Sequence, residues 1–151
     1  RAVLAQKLLN SPIGFLFRHA LTKNSLRRSF EAIFGDRKPE EAEIDAFFEL
    51  FDRDRGRRNV HRLIRYIDDR KRHRERWVAA LTQARCPIGL INGSVDPVSG
   101  DHMVRRFEAL VGAEHFIRRL PRVGHYPQVE APEQVLAAYS DFLGAVESLP
   151  A

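Results

Sequence analysis

Apolar positions recur at helical spacing through the first 85 residues, and then the period changes. Val3, Leu4 and Leu8 begin the pattern and Ile13, Phe17 and Leu21 continue it. Leu26, Phe30, Ile33 and Phe34 form a third segment, which Gly35 and the nearby Pro39 stop. Pro39 and the acids after it open a fourth, with Ile44, Phe47, Phe48 and Phe51 as its apolar side. Gly56 is expected to break the chain again. Val60, Leu63, Ile64 and Ile67 then make an i, i+3, i+4, i+7 stripe, followed by Trp77, Val78 and Leu81. The spacing predicts five or six short helices and no strand before about residue 85.

The change comes at Cys86-Pro87. Ile88-Gly89-Leu90-Ile91 is a short continuous apolar run, as expected of a strand buried on both faces. A helix on Val104, Phe107, Leu110 and Val111 follows, then a second short run from His115 to Leu120. The last helix is expected to begin at Pro132, a favoured first helical position, and to carry Val135, Leu136, Tyr139, Phe142, Leu143 and Val146. Strand, helix, strand, helix predicts an α/β arrangement with two adjacent parallel strands near 88–92 and 115–120. Asn92-Gly93 would suit a hairpin, but the helical segment after it argues against one. Two strands cannot cover both faces of a parallel sheet, and the only methionine, Met103, is internal. The expectation is therefore the C-terminal part of a larger α/β domain.

Composition narrows the class. Hydrophobic residues make up 44% of the 151, ten of them Phe, which is enough for a core. No apolar run approaches the roughly 18 residues of a membrane span, so no span is expected. A single cysteine, Cys86, excludes an internal disulfide and suits a reducing compartment, so the expected location is cytoplasmic. There the sequon Asn92-Gly93-Ser94 would stay unmodified. The net charge of +5 is uneven: residues 53–76 hold eleven Arg or Lys against four acids. Such a belt could grip nucleic acid, but no nucleic-acid motif accompanies it, and its helix keeps an apolar stripe that leaves the arginines as a solvated face. Nucleic acid is not an expected partner.

In open α/β sheets, functional groups lie in loops beyond the carboxyl ends of strands. The first strand ends in Asn92-Gly93-Ser94-Val95-Asp96-Pro97, the second in Pro121-Arg122-Val123-Gly124-His125-Tyr126-Pro127. An acid and a histidine delivered by neighbouring parallel strands can meet across one crossover helix. Asp96 would accept the Nδ1 hydrogen of His125, fix its tautomer and leave Nε2 as a base. Taken alone, His125 could be a packing histidine and Asp96 a turn starter.

These two segments, NGSVDPVSG and GHYPQVEAPEQV, resemble the C-terminal signature of the α/β-hydrolases, closest to the epoxide-hydrolase and haloalkane-dehalogenase branch. LIRYIDDRKRHRERWVAAL further resembles the end of the cap domain in the mesoderm-specific-transcript group of that branch. The resemblance implies a helical cap over 1–85 and the last part of a hydrolase core over 86–151, with Asp96 as the catalytic acid and His125 as the base. Chain order agrees, since the nucleophile of this fold comes first, then the acid, then the histidine. It implies hydrolysis of a small, largely apolar substrate such as an epoxide, ester or haloalkane. No cofactor is implied.

No G-x-S-x-G elbow occurs in the chain. Ser94 has its glycine at the wrong offset, Ser11, Ser25 and Ser29 lie in helical or capping contexts, and Cys86 starts a strand beside a proline. The nucleophile, Asp or Ser, and the oxyanion hole are expected in the N-terminal half of the same fold, so this chain alone is expected to be inactive. Two cap-region aromatics are candidates for substrate contact. Tyr66 corresponds in kind to the cap tyrosines with which epoxide hydrolases hold the epoxide oxygen, and Trp77 could wall a pocket; packing is the commoner role for a helix tyrosine beside Ile67, as a place in the core or at the cap hinge is for Trp77. His61, His73 and His102 have no metal-ligand spacing, so no metal is expected. The alternative of a different class is a non-catalytic relative that keeps the fold and uses its pocket for binding; a basic nucleic-acid-binding module is a third.

Overall fold

The computed structural model describes residues 21–148, which divide into two units. The first comprises 21–32 and 39–74, the second 33–38 and 75–148. The apolar positions before Leu21, and Ser11, lie outside the described residues.

In the first unit, α1 (Lys23–Ile33) is started by a reciprocal cap. The Thr22 amide donates to Ser25 Oγ at 2.9 Å and the Ser25 amide to Thr22 Oγ1 at 3.2 Å, which gives Ser25 the capping role its context suggested. α2 (Glu41–Asp52) begins two residues after Pro39, and Glu43 accepts the Glu40 amide at 2.9 Å. Ile44 is its fully buried residue, and Phe47 meets the buried Phe30 edge-on at 4.8 Å between ring centroids. The period-3.6 reading holds here because each helix has one face to cover.

The basic belt behaves differently. A 3-10 segment (Arg53–Asn59) leads into two short helices, α3 (Val60–Leu63) and α4 (Tyr66–Arg72). The stripe from Val60 to Ile67 is thus cut at Ile64 and Arg65. Arg58, Arg62 and Arg65 stand at i, i+4 and i, i+3 spacing, where like charges repel, and β-branched Val60, Ile64 and Ile67 add little helix propensity. The kink before it is carried by Asp54 and Arg55, at φ 51° and 63°, and not by Gly56. Gly56 is required for a different reason: a Cβ there would strike the Phe51 carbonyl.

In the second unit, α5 (Arg74–Thr82) precedes β1 (Gly89–Gly93), α6 (Asp101–Leu110), β2 (Phe116–Leu120), α7 (Pro127–Glu130) and α8 (Pro132–Glu147). β1 and β2 pair in parallel, from Gly89 opposite Phe116 to Gly93 opposite Leu120. The described residues therefore combine helices with a small parallel sheet. α8 packs on both strands and α6 on β1. Val104 is fully buried, while Leu120, Val123 and Ala131 form a cluster with Ile91 and Val135 against it. Leu90 and Ile91 are only half-buried, although the sequence suggested burial on both faces. Among the described residues the sheet has two strands, so β1 lacks the cover that a wider sheet supplies. Burial along β1 rises toward its carboxyl end, where Asn92 and Gly93 are both buried.

Candidate active site

The loop after β1 is pinned before it reaches Asp96. Ser94 and Val95 donate their amides to the carbonyls of Leu120 and Val123, at 3.0 and 3.1 Å, tying the loop to the end of β2. The Asn92 side-chain amide donates to Ser99 O at 2.8 Å and closes the loop from its other side. Asp96, 5% exposed, sits inside this frame as an acceptor of four hydrogen bonds. Its Oδ1 accepts the Val98 amide at 2.8 Å, and its Oδ2 accepts the Ser99 amide at 3.0 Å and the Ser99 hydroxyl at 2.6 Å. The fourth donor is His125 Nδ1, 2.7 Å from Oδ2. An ionised carboxylate can only accept, so this contact requires the hydrogen on Nδ1.

Burial by itself would push the Asp96 carboxyl up. The Ser99 hydroxyl, the Val98 amide and His125 outweigh that penalty and hold it below its ordinary value of 3.8. A carboxyl depressed in the folded state stabilises the fold above its unfolded value, and that contribution disappears as pH falls through the folded one. Thermal unfolding of the protein and of Asp96→Asn should therefore differ by a constant gap above about pH 4, which narrows in more acidic buffer. A gap independent of pH down to full acid unfolding would contradict the depressed value.

His125 stands on a turn built by several residues. Arg122 takes the left-handed conformation, φ 65°, and Gly124 does not. Gly124 is demanded by proximity: a Cβ there would collide with the Ile33 carbonyl and the Gly35 nitrogen. The segment at residues 33–36 is threaded along the turn. Its Ile33 carbonyl accepts the His125 amide at 2.9 Å, and its Asp36 amide donates to Arg122 O at 2.9 Å. Because these obstacles are backbone, Gly124→Ala should cost about 1–3 kcal/mol or more in chemical denaturation, the range for overpacking. A change within about 0.5 kcal/mol, the scatter typical of neutral surface substitutions, would show that the seam has room.

Two residues escaped the sequence reading, Glu130 and Ser99. Glu130, at the end of the single-turn helix α7, is 7% exposed. Its Oε2 accepts the amides of Gly35 and Gly124, each at 2.7 Å, and its Oε1 accepts the Tyr126 amide at 3.0 Å. The available signal was an acid one turn beyond the histidine and just before Ala131-Pro132, where no solvated helix face was under construction. Ser99 was missed for a simpler reason, since Asp-Pro-Val-Ser reads equally well as an ordinary turn.

Tyr126 extends the packing around His125, with its ring edge-on to the imidazole at 5.1 Å and tilted against Phe34 at 5.8 Å. Burial pushes its phenol up. Of the four candidate site residues, Asp96 and His125 are brought into contact. Tyr66 opens α4 in the first unit and is 49% exposed; Trp77 lies on α5 and is 41% exposed. Among the described residues, no group of three or more His, Cys, Asp or Glu is gathered to hold a metal ion, and no helix is long and apolar enough to cross a membrane.

The chain is 36% identical over 129 residues, 85% of its length, to the protein named "Putative hydrolase LipZ" of Mycobacterium tuberculosis. It is 30% identical over 159 aligned positions, covering 96% of its length, to the mesoderm-specific transcript protein of Mus musculus and to its Homo sapiens homologue. These similarities relate the chain to the α/β-hydrolases. Within them, it is related to the mesoderm-specific-transcript group. The chain spans 44% of the length of each of these relatives. No family model matches it, and no solved structure does.

Proposed function

We propose that this chain supplies the acid and the base of an α/β-hydrolase, Asp96 and His125, to a nucleophile carried by the N-terminal half of the same fold. The observation that carries the reading is the 2.7 Å contact from His125 Nδ1 to an Asp96 carboxylate that three further donors already orient. With Nδ1 committed to the carboxylate, Nε2 is the nitrogen that can take a proton from water or from a serine hydroxyl. The buried charge of Asp96 favours the imidazolium that results. Residues 1–85 would form the cap and 86–151 the end of the core.

The reaction has two steps. The nucleophile displaces a leaving group or opens a ring on the substrate carbon and becomes esterified. Water, losing its proton to His125 Nε2, then attacks the ester carbonyl; the imidazolium returns that proton to the departing oxygen, which releases the product and regenerates the nucleophile. The hydrolase name of the mycobacterial relative supports a hydrolase. The epoxide, ester or haloalkane class of substrate rests on the sequence resemblance alone. Tyr66 and Trp77 remain candidates for substrate contact in the assembled protein.

The test is co-expression of this chain with the nucleophile-bearing half, followed by exposure to styrene oxide, p-nitrophenyl butyrate and a 1-haloalkane. Turnover of one of them that vanishes in both Asp96→Ala and His125→Ala supports the reading. Turnover that survives either variant sinks it.

A further inference from the structure

We propose that Glu130 is a positioning residue for His125: its buried carboxylate gathers three backbone amides from two chain segments and so aims the imidazole at Asp96. This rests on the acid–base reading of the pair, to which it adds a third side chain.

The geometry is specific. Glu130 touches neither His125 nor Asp96 through the bonds it makes. It holds the amides of Gly124 and Tyr126, the residues immediately before and after His125, from opposite carboxylate oxygens. The oxygen that holds Gly124 also holds Gly35, in the segment whose Ile33 carbonyl accepts the His125 amide. His125 is thereby clamped on both sides and from a second strand of chain. The clamp occupies a seam of glycines: a Cβ at Gly35 would strike the Arg122 carbonyl, and one at Gly124 would strike Ile33 and Gly35.

A buried carboxylate is an expensive way to satisfy three amides if only stability were required, because an ion desolvates at high cost unless each lone pair is matched. What it provides is an acceptor at two points about one carboxylate width apart, which no neutral side chain supplies. Glutamine keeps one oxygen and turns the other into an amino group. That group would face either the Tyr126 amide or the Gly35 and Gly124 amides, donor against donor. Aspartate keeps both oxygens but is one methylene short.

The experiment is long-range ¹H–¹⁵N correlation on the complete ¹⁵N-histidine-labelled protein, with the His125 signals assigned by their loss in His125→Gln. The unmodified protein should show His125 as a single Nδ1–H tautomer with a slowly exchanging, downfield Nδ1 proton. Glu130→Gln and Glu130→Asp should lose the fixed tautomer and the slow proton, even where circular dichroism reports the native fold. A merely structural role would lower the melting temperature and leave the tautomer of the folded fraction unchanged, which would overturn the proposal. Asp96→Ala, which removes the acceptor altogether, separates the two readings. If the unmodified protein has no fixed tautomer, or if Asp96→Ala keeps it, the acid–base pair itself is wrong. If Asp96→Ala loses it and folded Glu130→Gln keeps it, Glu130 alone is wrong. Should both Glu130 variants fail to fold, amide exchange in the unmodified protein decides. Gly35, Gly124 and Tyr126 should open at one common slow rate, and unrelated rates would overturn the clamp.

Discussion

Replacing His125 with glutamine should reduce steady-state turnover of the complete protein by about 10⁴-fold or more, the scale on which members of a catalytic triad act as a unit. The loss should fall unequally on the two steps, and the inequality identifies the nucleophile. An aspartate nucleophile is ionised on its own and needs no base for its attack. In that case His125→Gln should still be esterified by substrate, and intact-mass spectrometry after exposure to styrene oxide should find the protein heavier by one substrate. A serine nucleophile must give its proton to His125 Nε2 at the moment of attack, so both steps fail and no adduct accumulates. Glutamine fits the space of the imidazole without its titratable nitrogen, and the His125 amide bond to the Ile33 carbonyl would be kept. Turnover within tenfold of the unmodified protein would remove His125 from the chemistry and leave the pocket-binding alternative.

Much of this site was legible before any coordinate. The two apolar runs and the helix between them dictated a right-sized crossover, and parallel pairing then had to bring the loops after Gly93 and Leu120 side by side. That is why Asp96 and His125 could be matched from their places alone. The supporting residues were not legible in the same way, because their roles depend on close approach of segments distant in sequence. Glu130 and Gly35 are 95 positions apart, and nothing local to either announces the other. Gly124 belongs with them: the left-handed residue of the turn is Arg122, and Gly124 is small because another backbone lies against it. In the basic belt, periodicity overstated helix length, since spacing records which side chains share a face and is blind to repulsion between arginines that share the opposite one.

Asp96→Asn should cost on the order of 10⁴-fold in turnover if the tautomer argument for serine-protease triads holds here. The four donors around Asp96 explain why this nearly isosteric change is severe. With its oxygen at the Oδ2 position, asparagine would keep the Ser99 and His125 bonds but set its amino group against the Val98 amide. With its oxygen at the Oδ1 position, it would satisfy Val98 and confront the Ser99 amide. The Ser99 hydroxyl could then rotate to accept, and His125 could accept at Nδ1 only by moving its hydrogen to Nε2, the nitrogen proposed as the base. Each orientation leaves one donor–donor conflict in a buried loop, so stability should also fall by about 1–3 kcal/mol. Either way the imidazolium formed in turnover loses its counter-charge. The nitrogen-detected tautomer of His125 tells the two orientations apart, and kcat measured beside it tests the whole argument. A variant that holds the Nε2–H form and still turns over within about tenfold of the unmodified protein would show that Asp96 does not work through the tautomer.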